Sequence, residues 1–97
     1  MAIIAVFQGP GLTEATYEAS VEMLTGRKGG MKSPSDWPVA GLLAHAAGNG
    51  PGGFRVVDVW ESEQSFQSFG DALMPILKEL GIEAQPEVYP AHTVVTA

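Results

Sequence analysis

The chain has no cysteine among its 97 residues, which excludes disulfides, thiolate metal sites and cysteine nucleophiles. It has little charge: Asp, Glu, Lys and Arg make up 16% of it, against a usual share of about 25%. Basic residues are scarcest, five against eleven acidic ones, for a net charge of −6. That balance argues against nucleic acid and anionic membranes as partners. No apolar run approaches the roughly 20 residues of a membrane span. The opening MAIIAVFQGP has neither a basic n-region nor a small-residue cleavage site, so no signal peptide is expected and the expected compartment is the cytoplasm. Hydrophobic residues, at 45%, suffice for one globular domain of this length and not for two.

The elements read in order. Ala2–Phe7 is a continuous apolar run rich in β-branched residues, hence a strand, stopped by Gln8-Gly9-Pro10-Gly11. Thr13 is the N-cap candidate of a first helix. Leu12 and Tyr17 have hydrophobic-staple spacing; Tyr17, Val21 and Leu24 form an apolar stripe. Glu14, Glu18 and Glu22 form a second stripe, which should face water, and Gly26 ends the helix. Residues 26–38 read as a long loop, functional or mobile, with Arg27, Lys28 and Lys32 as a possible lid for an anionic ligand or simply a solvated segment.

A second strand is expected over Val39–Ala47 and a third over Phe54–Glu61, joined by a six-residue glycine-rich tip, 48–53. A second helix runs from the N-cap Ser62 to Gly81, with Phe66, Phe69, Leu73, Ile76, Leu77 and Leu80 at helical spacing. Pro75 predicts a kink or break near Leu73. A last strand is expected over about 87–96, at an edge or bulged because of Pro90. The order β-α-β-β-α-β is that of the ferredoxin-like unit: an α+β fold whose four-stranded antiparallel sheet carries both helices on one face.

Such a sheet should alternate apolar and polar residues if one face meets water. These strands are apolar on both parities, and the chain has no further element to cover the second face. A second copy, sheet against sheet about a two-fold axis, is the direct solution, so a homodimer is expected.

The acid–base residues inside the predicted strands are His45, Asp58 and His92, with Tyr89 nearby. His45 is the one polar residue of its apolar strand and suits general acid–base work; its bland reading is a hydrogen-bonded core histidine. Asp58, between Val57 and Val59, is costly to bury unless paired. A six-residue tip pairs His45 with Val56, making His45 and Asp58 diagonal neighbours on one face. A tip of odd length would place them on opposite faces. His92 is either a third acid–base group or a seam histidine. The three have the ligand types of a two-histidine, one-carboxylate site but no spacing signature, so no metal is assigned. Trp60, Phe66, Tyr89 and Trp37 are the candidates for a pocket binding a planar substrate. Phe66 and Phe69 are read first as core, Trp60 as packed on a helix, and Trp37 as lying in the loop.

The stretches GFRVVDVWESEQSFQSF, LMPILKELGI and PEVYPAHTVV resemble the small dimeric α/β-barrel proteins grouped with the antibiotic biosynthesis monooxygenases, in particular uncharacterised actinobacterial-type members. The resemblance covers about residues 2–95 and is most distinctive at Asp58–Ser62 and Pro90-Ala91-His92. It implies a ferredoxin-like subunit, a homodimer and a small cavity in each subunit. It further implies chemistry without metal or flavin in some members, and haem degradation, cyclisation, isomerisation or no activity in others. The leading expectation is a cofactor-independent enzyme acting on a small, mostly apolar metabolite by oxygenation, cyclisation or isomerisation. His45 or His92 would be the base, Asp58 would orient it, and Trp60 and Phe66 would shape the pocket. The alternative is a dimer that binds a small ligand, or serves a stress or accessory role, without turnover. Haem degradation ranks below both, because the second helix has no histidine to ligate iron.

Overall fold

The structure is a computed structural model that describes residues 1–26 and 31–96. Its elements are β1 (Ile3–Phe7), α1 (Glu14–Thr25), a 3-10 turn (Pro34–Asp36), β2 (Leu42–Gly50), β3 (Gly53–Trp60), α2 (Glu63–Leu80) and β4 (Pro86–Pro90). The sheet order is β2-β3-β1-β4 with every neighbouring pair antiparallel. This is the ferredoxin-like α+β arrangement. β4 lies at the edge, where a strand carrying Pro86 and Pro90 costs least in missing ladder donors.

The caps form as the residue types dictate. The Thr13 side chain accepts from the Thr16 backbone N–H while the Thr16 hydroxyl accepts from the Thr13 N–H, a capping box. Ser62 caps α2 through the Ser65 N–H, and Gly26 and Gly81 close the helices at φ 75° and 71°. Glu14, Glu18 and Glu22 are exposed, while Val21, Phe69, Leu73 and Leu77 are buried. They pack on the strand residues Ile3, Ala5, Phe7, Phe54, Val56 and Trp60, which alternate along one face of the sheet.

Five expectations are corrected. The β2–β3 tip is a two-residue turn, Pro51-Gly52, because Gly48, Asn49 and Gly50 continue the ladder opposite Arg55, Phe54 and Gly53. β2 accordingly begins at Leu42 and not at Val39. α2 is not broken at Pro75: Pro75 and the residue four before it, Asp71, are both exposed, so the carbonyl that loses its bond can turn to water. β4 stops at Pro90 rather than continuing to 96, since beyond it the chain leaves β1 after the bond from Ala91 N–H to Ala2 O. The 26–38 segment is not wholly an open loop. The 3-10 turn is tied by the Lys32 and Ser33 N–H groups donating to Asp36 Oδ2 at 2.9 and 3.2 Å, and it delivers Trp37 into the core at 7% exposure. The basic residues Arg27 and Lys28 of the suggested lid lie outside the described residues.

Candidate active site

The register of the β2–β3 hairpin decides the site. A two-residue turn pairs His45 directly with Asp58, not diagonally, and its even length keeps the two on one face. A β-bulge between Leu42 and Ala44 does the rest. In an unbroken strand, residues 42 and 45 would point to opposite faces. With the bulge, Leu42 pairs with Trp60 and His45 with Asp58, and both turn toward the helices. Gly41 leads into this irregularity at φ 110°, a conformation that favours glycine, and a Cβ there would meet the Ser65 hydroxyl at 2.6 Å.

The Asp58 side chain is 1% exposed and that of His45 11%. His45 Nδ1 lies 2.5 Å from Asp58 Oδ1. Its Nε2 lies 2.6 Å from the Tyr17 hydroxyl. Burial first, and the negative charge of Asp58 second, push the Tyr17 pKa above its ordinary value of 10.0, so the phenol holds its proton. The Asp58 carboxylate only accepts, so His45 Nδ1–H donates to it; in the neutral imidazole Nε2 then carries no proton and accepts from the Tyr17 hydroxyl. The result is a directed chain, Tyr17 to His45 to Asp58, drawn from α1, β2 and β3.

Aromatic rings hold this chain in place. Trp60 stacks on Phe69 at 4.9 Å between centroids, Phe69 on Trp37 at 5.5 Å, and Trp37 lies 5.2 Å from His45. The Tyr17 ring, inclined by 15° to the imidazole, lies 5.9 Å away. Two aromatic neighbours and two hydrogen bonds thereby hold the imidazole.

Beside the chain lies a cavity of about 40 Å³ between the sheet and the helices, room for about three water molecules or one small ligand of about four non-hydrogen atoms. Tyr17, Ser20, Trp37, His45 and Asp58 reach it, and the rest of its wall is apolar, including Phe7, Leu73 and Leu77.

Of the residues chosen from sequence, His45, Asp58 and Trp37 come together at this cavity. His92 does not: it is exposed beyond the end of β4, where its Nδ1 pairs with the Thr93 hydroxyl at 2.7 Å. Tyr89 sits on the opposite face of the sheet, in register with Ile4 and beside Val6, Gln8 and Glu87. Trp60 is completely buried and supports Phe69 from behind without reaching the cavity, and Phe66 packs between Phe7 and Trp60. Tyr17 was read only as part of the apolar stripe of α1. The signal that singles it out is its hydroxyl, the one polar group in that stripe. Among the described residues no cluster of three His, Cys, Asp or Glu side chains could hold a metal ion.

No family model and no curated protein sequence matches this chain. Among solved structures it is similar to a variant of SnoaB, a cofactor-independent oxygenase from Streptomyces nogalater, with a TM-score of 0.58 and 11% identity over 99% of this chain and 96% of that one. At that identity the likeness establishes a shared fold over the full length of both chains.

Proposed function

We propose that this protein is a cofactor-independent enzyme that acts on a small, mostly apolar metabolite and begins by removing a proton from it. The observation that carries this reading is the Tyr17–His45–Asp58 hydrogen-bond chain on the wall of an apolar cavity. The raised pKa of Tyr17 disfavours a standing phenolate. The chain instead suits a relay: the Tyr17 oxygen takes the substrate proton as its own proton passes to His45 Nε2. The imidazolium that forms is stabilised by Asp58, the division of labour of a hydroxyl–histidine–carboxylate triad. The carbanion left on the substrate can then isomerise or cyclise. In the presence of dioxygen it can be oxidised, a CH2 group and O2 giving a carbonyl and water. Oxygenation is the version that the fold neighbour's activity favours.

The protein is proposed to work as a cytoplasmic homodimer. Ile4, Val6, Ala44, Val57 and Val59 form an apolar patch, only half-buried, on the sheet face away from the helices, and no described element covers it. A second reading, a dimer that binds a ligand without turnover, draws support from His45 having both ring nitrogens already bonded.

Deuterium exchange at the α-carbon and oxygen uptake, measured on a panel of small ketones from acetone upward, separate the two readings. The enzyme reading expects exchange or uptake above the protein-free rate that falls at least 100-fold in Tyr17→Phe, about the loss of one acid–base group. Binding of a ketone without exchange or uptake, in a folded protein, would leave the ligand-binding reading standing.

A further inference from the structure

Two indole N–H groups in the described residues are buried with no acceptor: those of Trp37 and Trp60. Their surroundings differ. Trp60 is packed on all sides and does not reach the cavity, so its N–H has no space in which to meet a ligand. Trp37 is 7% exposed, lines the cavity, and has its ring 5.2 Å from His45. An indole N–H only donates, and buried donors are nearly always satisfied. The partner of this one therefore has to come from whatever occupies the cavity.

The cavity restricts that partner. Its walls are mostly apolar and its volume admits a ligand of about four non-hydrogen atoms. The buried Asp58 and the net charge of −6 disfavour an anion. We infer that Trp37 is a ligand-positioning residue whose Nε1–H donates to the carbonyl oxygen of a compact, neutral ketone. The inference rests on the proposed function and deepens it, because a carbonyl adjacent to the carbon that loses its proton carries the developing negative charge. A donor already in place at that oxygen stabilises the charge as it appears, with no reorganisation at the moment of reaction. Trp37 and the Tyr17–His45 chain would then act on two ends of one enolisable unit.

The test uses two probes of the same shape and of about the cavity's size, acetone and 2-methylpropene, which differ in having C=O or C=CH2. Both are titrated into the ¹⁵N-labelled protein, with the Trp37 indole signal and the His45 and Tyr17 ring signals followed by NMR. Acetone should move the Trp37 indole resonance and 2-methylpropene should not. Trp37→Phe, which keeps a ring in place, should weaken acetone binding about 2- to 10-fold, the share of one hydrogen bond, and weaken 2-methylpropene binding less. If acetone moves His45 and Tyr17 but leaves the Trp37 indole signal in place, the inference is overturned while the proposed site survives. If neither probe moves any cavity residue, the inference and the ligand-binding part of the proposed function fall together. The indole measurement is made on the unaltered protein, so a misfolded variant does not spoil it.

Discussion

The two faces of the sheet are both apolar in sequence and differ in what they do with that property. The helix-covered face encloses Trp60, Phe69 and Val21 and hides a carboxylate, an imidazole and a phenol among them. The opposite face offers Ile4, Val6, Val57 and Val59 with no described element across it. The three ionisable groups are tolerated on the first face because they answer one another: Asp58 is bonded to His45, and His45 to Tyr17. The second face carries no such pair. It needs only to be covered, which makes it suited to association and unsuited to chemistry.

The largest expected effect tests the covered face. Phe69 is 1% exposed and stacks on both tryptophans, so Phe69→Ala should lower stability by about 3–5 kcal/mol. Chemical denaturation measures this, and a loss below about 1 kcal/mol would mean that the aromatic stack adds little to the core. Next comes the open face. Val59→Lys places a charge in the middle of the apolar patch while leaving the helix-side core untouched. Sedimentation should show a dimer for the natural protein and a folded monomer for the variant; a natural protein that stays monomeric at micromolar concentration removes the proposed use of that face.

A smaller effect bears on the buried chain. Asp58→Asn keeps the shape but removes the charge that His45 Nδ1–H meets. Stability should fall by about 1–3 kcal/mol, and any ketone-exchange activity should fall further than binding does. Equal losses in binding and exchange would mark Asp58 as structural only. The smallest effect is a pH dependence. Because the Tyr17 pKa is raised in the folded protein, the neutral phenol stabilises the fold fully below the unfolded value, about 10. That contribution is lost as pH climbs through the higher folded value. Alkaline unfolding should be gentler in Tyr17→Phe than in the natural protein; identical profiles would show that Tyr17 is not held neutral by its surroundings.

How far the site was legible varied residue by residue. His45 and Asp58 stood out because each is a polar interruption of an apolar strand, and burying such a group carries a cost that demands a partner. Their pairing depended only on the parity of the hairpin tip, so a tip of the wrong length still placed them on one face. Tyr17 was hidden because a tyrosine at helical spacing satisfies the hydrophobic pattern with its ring, and the pattern does not register its hydroxyl. Trp37 was a pocket candidate by its ring, but its neighbourhood of Gly, Ser and Pro signals a loop, whereas Asp36 ties that loop into a turn that buries it. Tyr89 and His92 had the right chemistry. Strand order, which no local pattern encodes, put the first on the far face and the second beyond an edge strand.

By itself, then, the amino-acid sequence determined the βαββαβ order, the caps at Thr13, Ser62, Gly26 and Gly81, and the buried stripe of α2. These follow from interactions within a few residues of the chain. Only the tertiary structure decided which chemistry-bearing groups meet. The meeting of Tyr17, His45, Asp58 and Trp37 requires α1, β2, β3 and the 3-10 turn to converge on one cavity. A bulge between Leu42 and Ala44 turns Leu42 to the same face as His45. Those are contacts between residues far apart in sequence, set by how the helices pack on the sheet, and no local propensity specifies them.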